Sequence, residues 1–169
     1  MCAMALFAVA CGTQPKAEEA YNPDTDTALQ ATFEASARGE ELRKLVAETP
    51  EAEQRDMAYL IVNMPAHDRE AMNLELLKEN VTYANIVRNK YAWAQSLPED
   101  VYLCDVLPYA VVDEVRDSWR KDMYELFAPA VDTCETMYDA ICAVNANIPA
   151  LTGVHYNTKR EKTNQSPSE

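Results

Sequence analysis

Glycine is scarce. The 169-residue chain has three, Gly12, Gly39 and Gly153, and none lies between Glu40 and Thr152. Glycine takes positive φ at little cost, so that stretch holds neither the Gly-rich dinucleotide fingerprint nor the phosphate-cradling P-loop. Sheets built on tight hairpins are disfavoured for the same reason. Histidine is scarcer still: His67 and His155, far apart in sequence, leave little for a metal site. Basic side chains number 15 against 28 acidic, a net charge of −13. Nucleic-acid binding rests on neutralising phosphates with Lys and Arg, so this balance argues against a nucleic-acid partner. No apolar run approaches the ~20 residues of a membrane-spanning helix. What remains is the composition of one acidic, all-α domain of ordinary size.

The amino terminus has its own composition. Residues 1–10 carry no charge and no turn former, and end as Ala8-Val9-Ala10-Cys11-Gly12. Small residues before a Cys, directly after an apolar run of signal-peptide length, resemble the lipobox of bacterial lipoproteins. The pattern departs from that family in lacking a basic start and a Leu three positions before the Cys. An ordinary secretory signal or a buried first strand would use the same run. The resemblance implies that Cys11 is lipidated and that residues 1–10 are a signal peptide. Thr, Pro, Glu, Asp and Asn dominate from Thr13 to Thr27, so residues 11–27 read as a flexible tether. A lipid on Cys11 would anchor the chain to a membrane, placing it in the bacterial cell envelope, facing the periplasm or the exterior.

Residues 28–156 read as consecutive helices. Leu29, Phe33, Ala37, Leu42, Leu45 and Val46 form one stripe from Leu29 to Ala47, weak at Gly39. Thr49-Pro50-Glu51 reads as a helix start, with Met57, Leu60, Ile61 and Met64 on one face and Pro65 as the stop. Asp68 is placed to cap the longest helix, residues 68–94. Its stripe is Leu76, Tyr83, Val87, Tyr91 and Ala94, flanked by Leu77, Val81 and Ala84. Ser96-Leu97-Pro98-Glu99 has capping-box spacing, ahead of a short helix that turns Val101, Leu103 or Cys104, and Leu107 inward. Tyr109 to Val115 is apolar and short enough for loop, strand or helical turn. Asp117 is placed to cap a helix with Trp119, Met123, Leu126 and Phe127. Asp132 is placed to cap the last one, with Met137, Ile141, Val144 and Ile148 inward and Pro149 and Gly153 closing it. Asn157 to Glu169 has no apolar residue and reads as a disordered tail.

The chemistry-bearing side chains form no recognisable set. His67 stands beside a helix start, where a solvent-facing or capping role is the ordinary one, and His155 follows a helix end, where its charge suits the helix dipole. Asp100 and Asp105, or Asp113 and Glu114, lack the Gly and the alternating ligands of a calcium loop. Cys134 and Cys142 lie eight apart in one expected helix. At 1.5 Å per residue they would be roughly 12 Å apart, too far for a disulfide. Cys104, Cys134 and Cys142 read as small buried thiols. Spacing alone assigns no catalytic, cofactor-binding or metal-binding residue.

From about Ala58 onward a series of short elements runs in order: Asn63-Met64-Pro65 with Asp68, Glu79-Asn80-Val81, Tyr83-Ala84, Trp93 and Leu97-Pro98-Glu99. Val106-Leu107-Pro108-Tyr109, Glu114, Asp117-Ser118-Trp119-Arg120 and Lys162-Thr163-Asn164-Gln165-Ser166-Pro167 follow. None is specific alone. In that order they resemble the amino-terminal half of bacterial transglutaminase-like proteins. In that family such helices precede a papain-like core, where a nucleophilic Cys opens a helix and a His and an Asp follow. The family's Cys lies a short way beyond the segment resembling Asn164 to Pro167, so Cys104, Cys134 and Cys142 do not match it and no catalytic residue carries over. The resemblance implies the helical, non-catalytic part of a transglutaminase-like lipoprotein, inactive as given and without a cofactor, with the catalytic core as its missing partner. A free-standing helical lipoprotein that binds a periplasmic protein is the alternative. A complete small enzyme is the third reading.

Overall fold

A computed structural model describes residues 20–110 and 114–152. Cys11, the apolar run before it, His155, Gly153 and the tail 157–169 lie outside the described residues. Those described are all-helical, with no β-strand among them. The helices are α1 (Thr27–Ala35), α2 (Gly39–Glu48), α3 (Gln54–Asn63), α4 (Ala66–Ala71), α5 (Leu74–Lys90), α6 (Ala92–Gln95), α7 (Glu99–Val101), α8 (Arg120–Val131) and α9 (Met137–Thr152). Single 3₁₀ turns at Pro23–Thr25 and Glu51–Glu53 precede α1 and α3. The first of these falls inside the expected tether. Tyr21 beside it packs on the core and donates its hydroxyl to Asp26 Oδ2 at 2.7 Å.

Asp26 caps α1 by accepting from the backbone N–H groups of Ala28 and Leu29 at 3.1 and 3.0 Å. Partial burial pushes this carboxyl's pKa up, but the Leu29 N–H, the Tyr21 hydroxyl and the Ala28 N–H outweigh it and hold the pKa below the ordinary value. The stripe from Leu29 to Val46 is buried as expected, except Ala37, which is exposed. The single helix expected there is two. Glu70 of α4 accepts from the Ser36 hydroxyl at 2.7 Å and the Ala37 N–H at 3.2 Å, and Arg38 Nη1 donates to the Met72 carbonyl at 2.8 Å. These bonds satisfy a chain break that the apolar period alone would not reveal.

Met57, Leu60, Ile61 and Met64 are all buried, and α3 stops before Pro65 as read from the sequence. Thr49 closes α2 instead of opening α3, its hydroxyl donating to the Leu45 carbonyl at 2.8 Å. The expected helix over residues 68–94 is three pieces, interrupted at Met72-Asn73 and at Tyr91, where the backbone is extended. Asn73 caps α5 by accepting from the Glu75 N–H at 3.0 Å. Asp68, expected as that cap, lies inside α4 and is buried. Ser96 ends α6, its hydroxyl donating to the Trp93 carbonyl at 2.8 Å, and does not cap α7. Past α7 the turn widens: the Leu107 N–H reaches back five residues to the Tyr102 carbonyl at 2.8 Å. Tyr102 and Leu107 point inward, while Cys104 is exposed.

The caps expected at Asp117 and Asp132 also fall elsewhere. Glu79 of α5 accepts from the Ser118 hydroxyl at 2.5 Å and the Lys121 N–H at 3.4 Å, so α8 is capped by another helix. Thr136 caps α9, its hydroxyl oxygen accepting from the Asp139 N–H at 3.1 Å. Cys134 therefore precedes α9 and does not share a helix with Cys142. Cys142 is exposed, Cys134 is half-buried, and among the described residues neither they nor Cys104 forms a disulfide. The expectation of three buried thiols fails: Cys104 lies at the surface of the widened turn, its Sγ 3.5 Å from the Tyr59 hydroxyl, and Cys142 is on an exposed face of α9. α9 runs past Pro149 to Thr152.

The main core lies among α1 to α5, closed by Tyr102, Leu107 and Tyr109. A smaller cluster of Tyr91, Ala94, Val131 and Ala140 joins α6, α8 and α9. One row of α5 (Leu76, Leu77, Val81, Ala84) serves the first, while Val87 packs on the second.

Gly39 sits where α2 starts against the end of α1. A Cβ there would lie 2.0 Å from the Phe33 carbonyl oxygen. Helix propensity favours Ala over Gly by about 1 kcal/mol, yet a backbone clash of this kind typically costs about 1–3 kcal/mol. Gly39→Ala is expected to lower the urea midpoint at unchanged slope; a raised midpoint would show that α1 and α2 are not so closely apposed.

Candidate functional site

Two features stand out: a buried polar joint and an apolar cleft beside it. The joint begins with Asn80, buried on α5. Its Nδ2 donates to the Leu107 carbonyl at 2.7 Å, and its Oδ1 accepts from Arg120 Nε at 2.7 Å. Arg120 Nη2 also donates to the Val106 and Pro108 carbonyls at 2.8 and 2.9 Å. Its guanidinium lies 4.7 Å from the Trp119 ring centre, and Trp119 Nε1 donates to the Tyr109 carbonyl at 2.9 Å. The segment Val106–Tyr109 is thus held by side chains from α5 and the start of α8. Burial away from water pulls the Arg120 pKa down to about 10.

Two further buried carboxyl groups fasten the same region. Asp68 accepts from the Tyr109 hydroxyl at 2.7 Å and from Arg116 Nε at 3.1 Å. His67 is exposed, with Nε2 at 3.0 Å from Asp68 Oδ1. Asp56 accepts from Asn85 Nδ2 at 2.8 Å and from the Tyr102 hydroxyl at 2.7 Å. The Arg88 guanidinium covers the Tyr102 ring at 3.9 Å and pairs with Glu99. Burial, followed by the Asp56 contact, holds the Tyr102 phenol well above its ordinary pKa, and burial followed by the Asp68 contact raises that of Tyr109. These groups act as hydrogen-bonding partners of one another; among the described residues no Ser, Cys or Lys side chain bonds to Asp56, Asp68, Asn80 or Arg120.

The cleft is a space of about 360 Å³ formed where three helical stripes converge. Tyr83, Val87 and Tyr91 come from α5 and its end. Arg120, Met123, Tyr124, Phe127 and Val131 come from α8, and Met137, Ala140, Ile141, Val144 and Asn145 from α9. Each set follows the three- and four-residue spacing of one helix face. The Tyr83 and Tyr124 rings meet at 5.4 Å, and Tyr91 and Trp93 stack at 5.0 Å. Lys90 Nζ and the Tyr91 hydroxyl both contact Asp132 Oδ1 at 2.5 Å, fixing the end of α5 to the turn before α9. The Lys90 contact, then the Tyr91 contact, depress the Asp132 pKa, and Asp132 in turn raises that of Lys90. Trp93 Nε1 is buried with no acceptor among the described residues.

Of the side chains expected inward on α9, Met137 is 43% and Ile141 51% exposed, and Val144 and Ile148 are half-buried; Ala140, not among those expected, is buried. The stripe was visible in the sequence, but its period does not say what covers it. Arg120 was visible only as part of the motif Trp119-Arg120, and its role as a clamp needed the fold. Cys11, expected to carry a lipid, lies outside the described residues. Among the described residues, no three His, Cys, Asp or Glu side chains gather as metal ligands, and no helix is long and apolar enough to cross a membrane. Comparison with family models, curated proteins and solved structures finds no match to this chain.

Removing the Tyr102 hydroxyl leaves Asp56 with one buried donor fewer. A loss of that type costs about 1–3 kcal/mol. Tyr102→Phe should lower unfolding stability by that amount in urea titration while the helical circular dichroism persists. No loss of stability would mean that the hydroxyl and Asp56 are solvated.

Proposed function

We propose that the chain is the non-catalytic, helical portion of a transglutaminase-like cell-envelope lipoprotein, anchored through a lipid on Cys11. Acyl-transfer or peptidase chemistry would then require a catalytic half beyond these helices. The observation that carries this reading is where the motif residues fall. Asn80, Leu107-Pro108-Tyr109, Trp119-Arg120, Asp68 and the Glu79–Ser118 pair are scattered over some fifty positions of sequence, yet they bond to one another in the joint. A shared pattern is expected where side chains hold a fold together. Leu126 and Tyr138, 43% and 74% exposed outside the cleft, are apolar surface for a following core to cover.

A free-standing binding module of the envelope is the second reading, and the apolar cleft favours it. Such clefts of about 300–1,000 Å³ with a few polar groups are the usual form of small-ligand sites.

Two measurements test the first reading. A radioactive fatty acid fed to bacteria expressing the chain should label it, and Cys11→Ser should abolish the label. Reading the gene beyond the codon for Glu169 should reveal a Cys at a helix start, then a His and an Asp. Label that persists in Cys11→Ser defeats the anchor; a gene with no such downstream residues defeats the transglutaminase-like origin.

A further inference from the structure

We propose that the cleft between α5, α8 and α9 binds a small organic anion with an apolar body, its head group on Arg120 and its body against Phe127 and Ile141. Among the described residues every acceptor of Arg120 is neutral: the Asn80 amide oxygen and the Val106 and Pro108 carbonyls. Among the described residues no carboxylate pairs with it, and its Nη1 donates to none of them. A half-buried cation without a counter-ion is unfavourable, and burial does pull this guanidinium's pKa down, to about 10. An anion at Nη1 would relieve that cost through a charge-assisted hydrogen bond, the stronger kind.

The rest of the cleft suits the remainder of such a molecule. Tyr83, Met123, Phe127 and Ile141 present apolar surface around a space of about 360 Å³, which falls in the ~300–1,000 Å³ range of small-ligand sites. Asn145 adds one amide at the rim, with no hydrogen bond of its own among the described residues. The chain as a whole is acidic, at −13, so an anion has little to attract it except where a cation stands uncompensated. The inference holds whichever of the two parent proteins is correct, because Leu126 and Tyr138 are not part of the cleft.

Both tryptophans of the chain, Trp93 and Trp119, line the cleft, so their fluorescence reports its occupancy. The full chain would be titrated with sodium decanoate, 1-decanol and decyltrimethylammonium, each below its micelle concentration. Decanoate should give a saturable change, and 1-decanol should bind about tenfold more weakly or worse, the loss of one charge-assisted hydrogen bond. The ammonium should bind more weakly than the alcohol. Ile141→Asp changes a residue that is 51% exposed, so its helicity should be retained while decanoate affinity falls at least tenfold. Arg120→Gln should make decanoate and decanol equivalent; should it unfold, the comparison of head groups on the unaltered chain decides. Equal affinity for decanoate and decanol, no saturable change, or unaltered binding in Ile141→Asp would overturn the proposal. So would an emission change that follows protein concentration without decanoate, which would assign the cleft to a second copy of the chain.

Discussion

Arg120 joins three parts of the chain at one point. Its Nε donates to the amide oxygen of Asn80 on α5, and its Nη2 donates to the backbone carbonyls of Val106 and Pro108. That backbone carries Leu107 and Tyr109 into the main core. The carbonyls of Val106 and Pro108 have no place in a helix, and a buried carbonyl without a donor is costly. The guanidinium satisfies both, and the Asn80 amide satisfies the Leu107 carbonyl between them. The direction of α8 follows, since Arg120 is its first residue and Glu79, beside Asn80, supplies its cap. Without the clamp, the closing segment of the core and the start of the second cluster would lose a common anchor.

The cleft is a consequence of that geometry. α8 is fixed against α5 at one end, and α9 packs chiefly on α8. The apolar row of α9 is therefore laid beside α5 without filling the space between them, and Ala140, a small residue, is the member of α9 buried in the second cluster. The contacts of Lys90 and Tyr91 with Asp132 hold the far end of this arrangement. An open apolar space and an uncompensated guanidinium thus arise from the same placement of α8. Packing such a space with side chains would be the simpler route to stability, so its persistence is better understood as provision for an occupant.

The helical class and the inner face of α3 were legible in the sequence, because glycine is missing and Met57, Leu60, Ile61 and Met64 keep one period. The breaks were not. Ser36–Arg38 departs from helix because Glu70 and Arg38 offer tertiary bonds there. Tyr91 interrupts the long helix where its hydroxyl reaches Asp132, 41 positions away. Asp68, Asp117 and Asp132 each looked like a cap, as short acids before apolar runs do. Asp68 and Asp132 instead bind side chains distant in sequence, which local pattern cannot reveal. Of the cleft, the three stripes were legible as stripes. That they enclose space instead of a core depends on where α9 leans, and no period encodes that.

The central claim is that Asn80 and Arg120 act as one unit. A double-mutant cycle with Asn80→Ala, Arg120→Met and the pair, followed by urea unfolding, measures this directly. Residues sharing a buried network couple by about 0.5–3 kcal/mol. The second substitution should therefore cost markedly less once the first is made. Strictly additive losses would contradict the account, since each side chain would then be stabilising the fold without the other.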